Sequence, residues 1–276
     1  MGVVEPLERE DLYPRDLELD SFDVIIPTKN SERTIKKCLE ALFSSDVPLN
    51  RVLLIDNSSD STPRIGVEMG CIVITANANY SQALRLGASL CEMPYFIILD
   101  SDILIHPKFY SRLKSKIKEN FICKGTYYDR IIWKSLANHL LAQRRKYIGG
   151  LDAAFVYRKT FLQLTTDWES GYIDVGDSLL HRRCRLLGIP TYQDPDLVNL
   201  HMVGSHGRHL KQAYWYGKSA RTSGLYPWIH FLKRFLRGFI LGFKFAFKYR
   251  DIRYIPFMIW EGVHYLFGWL QGAQSD

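Results

Sequence analysis

The chain has 276 residues, of which 47% are apolar and 24% are charged. This composition supplies a buried core and excludes a disordered or low-complexity protein. Five scattered cysteines without a CxxC pair argue against a zinc or redox centre and predict a reduced, cytosolic setting. The net charge of +7 suits phosphate-bearing partners, nucleic acid or an anionic membrane, without choosing among them.

The first twenty residues read MGVVEPLEREDLYPRDLELD. They are acidic and lack the apolar segment of a signal peptide. We therefore predict that residues 1–20 form an acidic N-terminal extension and that the protein is not exported.

Short apolar runs alternate with amphipathic segments between residues 22 and 103. The runs FDVIIPT, RVLLIDNSS, CIVITAN and YFIILDSD predict four buried parallel strands joined by helices. Ser31 is predicted as the N-cap of the first helix. The front half is therefore an open α/β sheet, in which ligands bind beyond the carboxyl ends of the strands.

The pattern is more mixed between residues 121 and 225. It predicts a strand after Gly149-Gly150, a helix from about Asp177 to Leu187, a strand near Leu197 to Met202, and then another helix.

Carboxylates follow two of the predicted strands. Asp100 and Asp102 leave the fourth strand on the same face, and two adjacent anions favour a divalent cation with oxygen ligands. Asp56 ends the second strand, where it can accept hydrogen bonds from a base or a ribose. The alternatives are a capping or solvated role for the first pair and an ordinary Asx turn for Asp56.

In order and spacing, VIIPTKNSERTIKKCLEAL, LLIDNSSDST, SQALRLGAS and FIILDSD resemble the family 2 glycosyltransferases of the GT-A fold. The resemblance covers roughly residues 22–220. It implies a GT-A, Rossmann-like domain over residues 21–225, with a mixed, mostly parallel sheet flanked by helices. It also implies inverting transfer of a sugar from a nucleoside diphosphate donor with Mn²⁺ or Mg²⁺.

The resemblance assigns roles to individual residues. The expected nucleotide and donor residues are Pro27, Thr28, Asn30, Asp56, Arg85, Asp100 and Ser101. The family often has Arg-Asn before the glycine where this chain has Leu84-Arg85, which leaves the role of Arg85 open. The expected metal ligands are Asp102 and His201, with His206 as a competitor. The expected acceptor-side residues are Gly149, Gly150, Asp152 and Trp215.

Asp177 is the predicted general base. Counted back from Gly188, it falls on the aspartate of the family's Glu-Asp motif, and Gly176 stands in place of the glutamate. Inverting transfer needs a carboxylate that takes the proton of the acceptor hydroxyl. Asp174 is the alternative base, and Asp177 is also a candidate N-cap.

Residues 226–276 combine large apolar side chains with regularly spaced cations. On a helical wheel at about 100° per residue, His230, Lys233, Arg237, Lys244 and Lys248 form one basic stripe. This pattern predicts an amphipathic helix at a membrane interface, with a helix packed on the sheet as the alternative. The segment Tyr254 to Leu270 is shorter than the ~20 residues of a full span, so it is predicted to insert shallowly, to be re-entrant or to form a short tilted span.

These features predict a glycosyltransferase at the cytoplasmic face of the cell membrane, attached through its C-terminal helices, that acts on a lipid-linked glycan acceptor. A resemblance to archaeal lipid-glycan, cellulose-synthase-like and dolichyl-phosphate mannose synthase-like enzymes suggests mannose from GDP-mannose. The alternatives are a polyprenyl-phosphate sugar synthase and an inactive nucleotide-sugar binder. Nucleic acid is not an expected partner, because the cations of the tail alternate with large apolar residues.

Overall fold

The computed structural model describes residues 19–131, 151–168, 176–203, 213–218, 220–221 and 228–272. Its internal contacts divide the chain into two compact units. The first unit consists of Met1–Tyr128, Lys146–Gly171 and Gly176–Met202. The second consists of Asp129–Arg145, Tyr172–Val175 and Val203–Asp276.

The described strands form one sheet. In chain order they are β1 (Phe22–Thr28), β2 (Leu49–Asp56), β3 (Ile72–Thr75), β4 (Tyr95–Leu99), β5 (Ile103–Leu104), β6 (Ile122–Ile131), β7 (Ala153–Tyr157) and β8 (Thr191–Val203). Their spatial order is β3-β2-β1-β4-β7-β6-β8-β5. Strand β1 pairs in parallel with β2 and β4, and β2 pairs in parallel with β3. The four predicted parallel strands are therefore confirmed, and their carboxyl ends lie at one edge of the sheet.

The other half of the sheet is antiparallel. Strand β7 pairs antiparallel with both β4 and β6, and β5 pairs antiparallel with β8. The strand predicted after Gly149-Gly150 is β7, and the one predicted near Leu197 to Met202 is the second half of the longer β8. Strand β6 was not predicted. The expected mixed α/β fold with flanking helices is confirmed.

Helices of the first unit connect and cover these strands. They are α1 (Ile35–Phe43), α2 (Thr62–Glu68), α3 (Tyr80–Leu90), α4 (Phe109–Ile117), α5 (Arg158–Leu164) and α6 (Gly176–Leu187). Strand β1 is buried on both faces, as a central parallel strand requires. Helix α3 approaches it so closely that a side chain at Gly87 would lie 2.5 Å from Ile25. A glycine at this position therefore lets α3 pack directly on the sheet.

The start of α1 differs from the prediction. The helix begins at Ile35, and the backbone N–H groups of Thr34 and Ile35 both donate to the carbonyl of Ser31. The Ser31 hydroxyl instead lies 2.8 Å from the hydroxyl of Ser101. The predicted N-cap role of Ser31 is wrong because a turn separates it from the helix, and its side chain joins the loops after β1 and β4.

The second unit contains helical residues 213–218 and 220–221 and two longer helices, α7 (Trp228–Tyr249) and α8 (Tyr254–Gln271). Glycines bring these helices close together. A side chain at Gly238 or Gly242 of α7 would lie 3.3 Å or 3.2 Å from the α8 backbone. A side chain at Gly217 would overlap backbone atoms of α8. A side chain at Gly268 of α8 would overlap backbone atoms of the helical residues 213–218. A helix is confirmed in the segment that was predicted to be amphipathic. This helix, α7, packs against α8.

Among the helices that the structure describes, none has both the length and the hydropathy needed to cross a bilayer. The short tilted span that the sequence left open for Tyr254 to Leu270 is therefore not found. Helix α8 carries Glu261 and His264 near its middle.

Candidate active site

The turn after β4 carries the two aspartates of the DxD sequence. Strand β5 follows this turn at once and pairs with β8, so that Ile103 lies opposite His201. The backbone N–H of Met202 donates to the carbonyl of Asp102 at 2.7 Å. As a result, His201 Nε2 lies 3.5 Å from Asp102 Oδ2, and both side chains keep some solvent exposure. The two predicted metal ligands are thus neighbours.

Asp100 lies between α3 and the turn before β7. Its backbone N–H donates to the carbonyl of Asp152 at 2.8 Å, and Tyr80 donates its hydroxyl to Asp100 Oδ1 at 2.9 Å. Burial and the nearby carboxylates of Asp152 and Asp102 raise the pKa of Asp100 well above its usual range. Burial, followed by the charges of Asp100 and other carboxylates, likewise raises the pKa of Tyr80. Tyr80 therefore keeps the proton that it donates, a role that the sequence did not reveal.

Asp152 belongs to the same cluster of carboxylates. Burial and the charge of Asp177 raise its pKa to about 7, against the opposing influence of Lys124 and His201. The residue was predicted on the acceptor side, and the structure places it beside Asp100 and within electrostatic range of Asp177.

Asp177 lies in the first turn of α6, where a carboxylate interacts favourably with the helix dipole. The helix begins one residue earlier, at Gly176. A side chain at Gly176 would overlap Ser81 Oγ and would lie 2.9 Å from the Trp168 ring. Packing therefore explains why a glycine stands where the family resemblance leads one to expect glutamate. Asp177 is left as the acidic residue of the motif, and its role as base stays a prediction.

Lys124 is a cation of this site that sequence reasoning missed. It lies on β6, its side chain is buried, and burial lowers its pKa while the charges of Asp152 and Asp177 act in the opposite direction. Lys124 Nζ is 3.4 Å from Nε2 of His181, a residue of α6. A lysine within an unpredicted strand gave no signal, because its burial depends on long-range pairing.

A second polar region occupies the ends of β1 and β2. Asp56 is buried, and its Oδ1 accepts hydrogen bonds from the hydroxyls of Thr28 at 2.6 Å and Ser58 at 2.7 Å. Asn30 has a positive φ of 53°, and its side-chain oxygen accepts the backbone N–H of Ser59 at 2.9 Å. These bonds fix the loop after β1 to the loop after β2. The expected nucleotide-binding residues of β1 and β2 are therefore brought together, with Pro27 paired to Ile55 in the sheet.

Arg85 contacts the end of α5 in the structure. Its Nη1 donates to the carbonyl of Leu162 at 2.7 Å and to the hydroxyl of Thr165 at 3.2 Å, which ties α3 to the end of α5. This geometry gives a structural role to Arg85, and its donor-side role stays a prediction. Trp215 belongs to the second unit, where it is partly exposed and the ammonium of Lys218 lies 5.7 Å from its ring centre.

Two predicted residues and two alternatives lie outside the described residues. Gly149 and Gly150 of the acceptor loop, the competing histidine His206 and the alternative base Asp174 belong to this group.

The donor set at the DxD turn fits a divalent cation. Asp102 offers a carboxylate and His201 an imidazole nitrogen 3.5 Å away, and further carboxylates lie behind them. Within the described ranges, no group of three or more His, Cys, Asp and Glu side chains is arranged to hold a metal alone. Two protein ligands would leave the remaining coordination positions to diphosphate oxygens and water, which suits Mg²⁺ and Mn²⁺.

Comparison with known proteins gives the class of the chain. The sequence model of the family described as "Glycosyl transferase family 2" matches residues 23–172. This range contains β1 except its first residue, β2 to β7 and the DxD turn, and the chain belongs to this family.

The individual proteins that this chain resembles match it over a short stretch or at low sequence identity. A stretch of 91 residues is 33% identical to the 4,4'-diaponeurosporenoate glycosyltransferase of Staphylococcus haemolyticus, covering 30% of this chain and 24% of that protein. The chain thus matches about a quarter of the length of this curated relative.

Two solved structures are similar. One is the glucosyl-3-phosphoglycerate synthase of Mycobacterium tuberculosis with Mn²⁺, uridine diphosphate and phosphoglyceric acid, at 15% identity and a TM-score of 0.47, covering 68% of this chain and 73% of that one. The other is S. aureus TarS, at 16% identity and a TM-score of 0.45, covering 71% of this chain and 39% of that one.

Proposed function

We propose that the protein is an inverting, metal-dependent glycosyltransferase that uses a nucleoside diphosphate sugar. The observation that carries this proposal is the pair formed by Asp102 and His201 beside a cluster that contains Asp100, Asp152 and Asp177. One end of this cluster suits a cation that binds a diphosphate, and the other end offers a carboxylate as base. Membership of the family supports the same reaction.

The residues of the chain divide the reaction between them. Asp102 and His201 would hold Mn²⁺ or Mg²⁺, which would stabilise the negative charge of the departing diphosphate. Asp177 accepts the proton of the acceptor hydroxyl while the hydroxyl oxygen attacks the anomeric carbon of the donor sugar from the face opposite the diphosphate. Tyr80 holds Asp100 by its hydrogen bond, and Asp56, Thr28 and Asn30 form the edge where the nucleoside would bind.

GDP-mannose is the donor that we propose to test first. The choice of base and sugar is supported by the family resemblance of the sequence. The polar groups at the ends of β1 and β2 are hydrogen-bond donors and acceptors that suit a nucleoside, and a donor screen decides which one is bound.

We further propose that α7 lies on the cytoplasmic face of the membrane and that the acceptor is a lipid-linked glycan. Exposed apolar side chains of α7 fall within an arc of about 100° on the helical wheel, and these are Leu236, Phe239, Ile240, Phe243 and Phe247. Three exposed cations lie about 100° further round, and these are Arg237, Lys244 and Lys248. Gly238 and Gly242 occupy the opposite side, against α8. An apolar face flanked by cations suits an anionic lipid surface.

The test is transfer from labelled nucleotide sugars to lipid-extracted acceptors in the presence of Mn²⁺ or Mg²⁺. We expect transfer by the wild type and none by Asp102→Ala. Asp196→Asn, which changes an exposed aspartate of β8, is the matched control and keeps full activity. The proposal is wrong if the wild type neither hydrolyses nor transfers any donor, or if Asp102→Ala transfers normally.

Asp177→Asn separates the two kinds of lipid acceptor. A sugar hydroxyl needs a base, whose removal costs about 10²- to 10⁴-fold in rate. A polyprenyl phosphate is already anionic and needs none. We expect the large loss, and a normal rate would indicate a polyprenyl-phosphate sugar synthase instead.

A further inference from the structure

A buried contact between two serine hydroxyls joins two loops of the site. Ser31 follows β1, and Ser101 is the middle residue of the DxD turn, 70 residues further along the chain. Their Oγ atoms are 2.8 Å apart, and the two residues are 2% and 7% exposed, respectively. Ser101 was expected to contact the donor, whereas its hydroxyl meets a hydroxyl of the protein. The contact therefore attaches the turn that carries Asp102 to the loop after β1.

Ser31 is also bound to the segment after β2. Its backbone N–H donates to the Thr62 hydroxyl oxygen at 2.8 Å, and Thr62 is fully buried at the start of α2. The Thr62 hydroxyl in turn donates to the Asp60 carboxylate. The Ser31 carbonyl accepts N–H groups from the start of α1. The N–H, the carbonyl and the hydroxyl of Ser31 thus have partners in three different segments.

A second contact attaches the DxD turn to the segment after β1. The Cys38 thiol of α1 lies 3.5 Å from the carbonyl oxygen of Asp100, and Cys38 is fully buried. On the nucleoside side, Asn30 precedes Ser31, and the Asn30 N–H donates to the Ser58 hydroxyl at 2.7 Å. Ser31 therefore lies between the residues expected to bind the nucleoside and the turn expected to bind the metal.

We infer that Ser31 is a positioning residue for donor binding: through Ser101 it fixes the DxD turn relative to the nucleoside-binding edge at the ends of β1 and β2. This inference rests on the proposed function, in which one ligand occupies both places. A nucleoside diphosphate would contact the edge with its nucleoside and would reach Asp102 through the metal. When both places are already held in position, ordering them on binding costs less free energy.

The position of this link predicts which ligand it affects. Ser31→Ala removes the hydroxyl but keeps the backbone N–H and carbonyl, so the bonds to Thr62 and to α1 persist. The nucleoside-binding edge therefore keeps its shape, and only its connection to the DxD turn is weakened. A ligand that contacts the edge alone should bind as before, whereas a ligand that also uses the metal should bind more weakly.

The experiment compares Ser31→Ala, Ser101→Ala and the double variant with Ser44→Ala, which removes an exposed hydroxyl at the other end of α1. The affinity for GDP is measured by thermal-shift titration in Mn²⁺ and again in EDTA, with UDP as the second probe. For Ser31→Ala we expect the affinity in Mn²⁺ to fall by about 2- to 10-fold, the contribution of one neutral hydrogen bond. Its affinity in EDTA should equal that of the wild type, and Ser44→Ala should bind as the wild type does in both conditions.

The double variant shows whether the two hydroxyls act together. All three variants at these positions lack the same hydrogen bond, so the double variant should lose no more affinity in Mn²⁺ than Ser31→Ala does. If Ser31→Ala does not fold, Ser101→Ala carries the test, because it removes the other hydroxyl of the same contact.

The possible results lead to different conclusions. An equal loss of affinity in Mn²⁺ and in EDTA overturns the inference, because Ser31 would then act on the nucleoside-binding edge alone. Unchanged affinity in Mn²⁺, or losses that add in the double variant, also overturn it. A wild type that binds neither GDP nor UDP in Mn²⁺ contradicts the proposed function instead.

Discussion

Asp102 Oδ2 and His201 Nε2 lie 3.5 Å apart because β5 and β8 pair antiparallel immediately after the DxD turn. Strand β5 is only two residues long, so the register of this short pairing alone sets the distance between the two side chains. The ring of Tyr127 contacts the His201 imidazole edge-on at 5.4 Å between ring centres and restricts its orientation. The pair is therefore formed by strand pairing within the sheet.

His201→Ala should weaken Mn²⁺-dependent binding of nucleoside diphosphate. Loss of even a supporting residue at a metal site costs about 10- to 100-fold in affinity, and loss of a ligand costs at least as much. A thermal-shift titration with Mn²⁺ measures the change. His264→Ala in α8, where the ring contacts the Trp260 carbonyl, is the control. Equal Mn²⁺ affinity in His201→Ala and wild type would show that His201 is not a ligand.

Gly176→Glu, which would complete the Glu-Asp motif, should destabilise the protein. The new side chain meets Ser81 and the Trp168 ring, and overpacking of this kind costs about 1–3 kcal/mol. Urea unfolding measures the loss. Leu186→Glu in the same helix changes a residue that is 74% exposed and should stay within about 0.5 kcal/mol of wild type. A stable and more active Gly176→Glu protein would contradict the packing explanation.

Asp23 should stabilise the fold at neutral pH and lose this effect in acid. Burial alone would raise the pKa of Asp23, but hydrogen bonds from Arg51, the Glu92 backbone and Asn50 outweigh burial and lower it. The stabilisation is therefore complete above the pKa of an unfolded aspartate, about 3.9, and disappears as the pH falls through the lower value of the folded protein.

Asp23→Asn tests this directly. We expect it to cost about 1–3 kcal/mol at pH 7, because buried hydrogen bonds to a charged group are lost. In urea unfolding below about pH 3.9 the difference from wild type should shrink. Asp20→Asn, at an exposed position just before β1, should show no such trend. A difference that is constant with pH would rule out the ionised form of Asp23 as its source.

Exposed aromatic residues of α7 should bind anionic vesicles. Phe247 is 90% exposed and Phe243 is 51% exposed, and fully burying one such side chain contributes about 1.5–3 kcal/mol. Phe247→Glu should therefore weaken sedimentation with phosphatidylglycerol vesicles by about tenfold or more. The wild-type binding should also decrease with salt, because cations flank the aromatic face.

The control for the vesicle experiment is Phe43→Glu. Phe43 is 42% exposed and lies on α1 of the first unit. The same substitution there removes an exposed phenylalanine without touching α7. Equal vesicle binding by Phe247→Glu and wild type would contradict the proposed membrane surface.

The sequence revealed the parts of the protein that depend on local pattern. Strands β1 to β4 were predictable because buried parallel strands are short runs of Val, Ile and Leu, and the DxD turn follows one of them. His201 was predicted as well, because the family resemblance leads one to expect a histidine at this place. The structure adds the register that brings it to Asp102.

The missed residues depend on contacts between distant segments. Lys124 and Tyr80 carry no local sign of burial, and only the pairing of β6 with β7 and the packing of α3 place them beside aspartates. The misplaced N-cap at Ser31 has the same origin, since its hydroxyl contacts Ser101 instead of the helix. The periodicity of apolar residues does not predict the contacts of side chains whose partners lie far along the chain.

Hydrogen bonds at the start of α3 help to position one side chain of the site. The Asn79 side chain accepts the backbone N–H of Gln82, and the Gln82 side chain accepts the N–H of Asn79. This reciprocal cap fixes the first turn of α3, and Tyr80, the next residue, delivers its hydroxyl to Asp100 from that turn. Gln82 thus influences how firmly a carboxylate of the DxD turn is held, because its side chain bonds to the helix start, and variation there would alter the site without any change in its chemical groups.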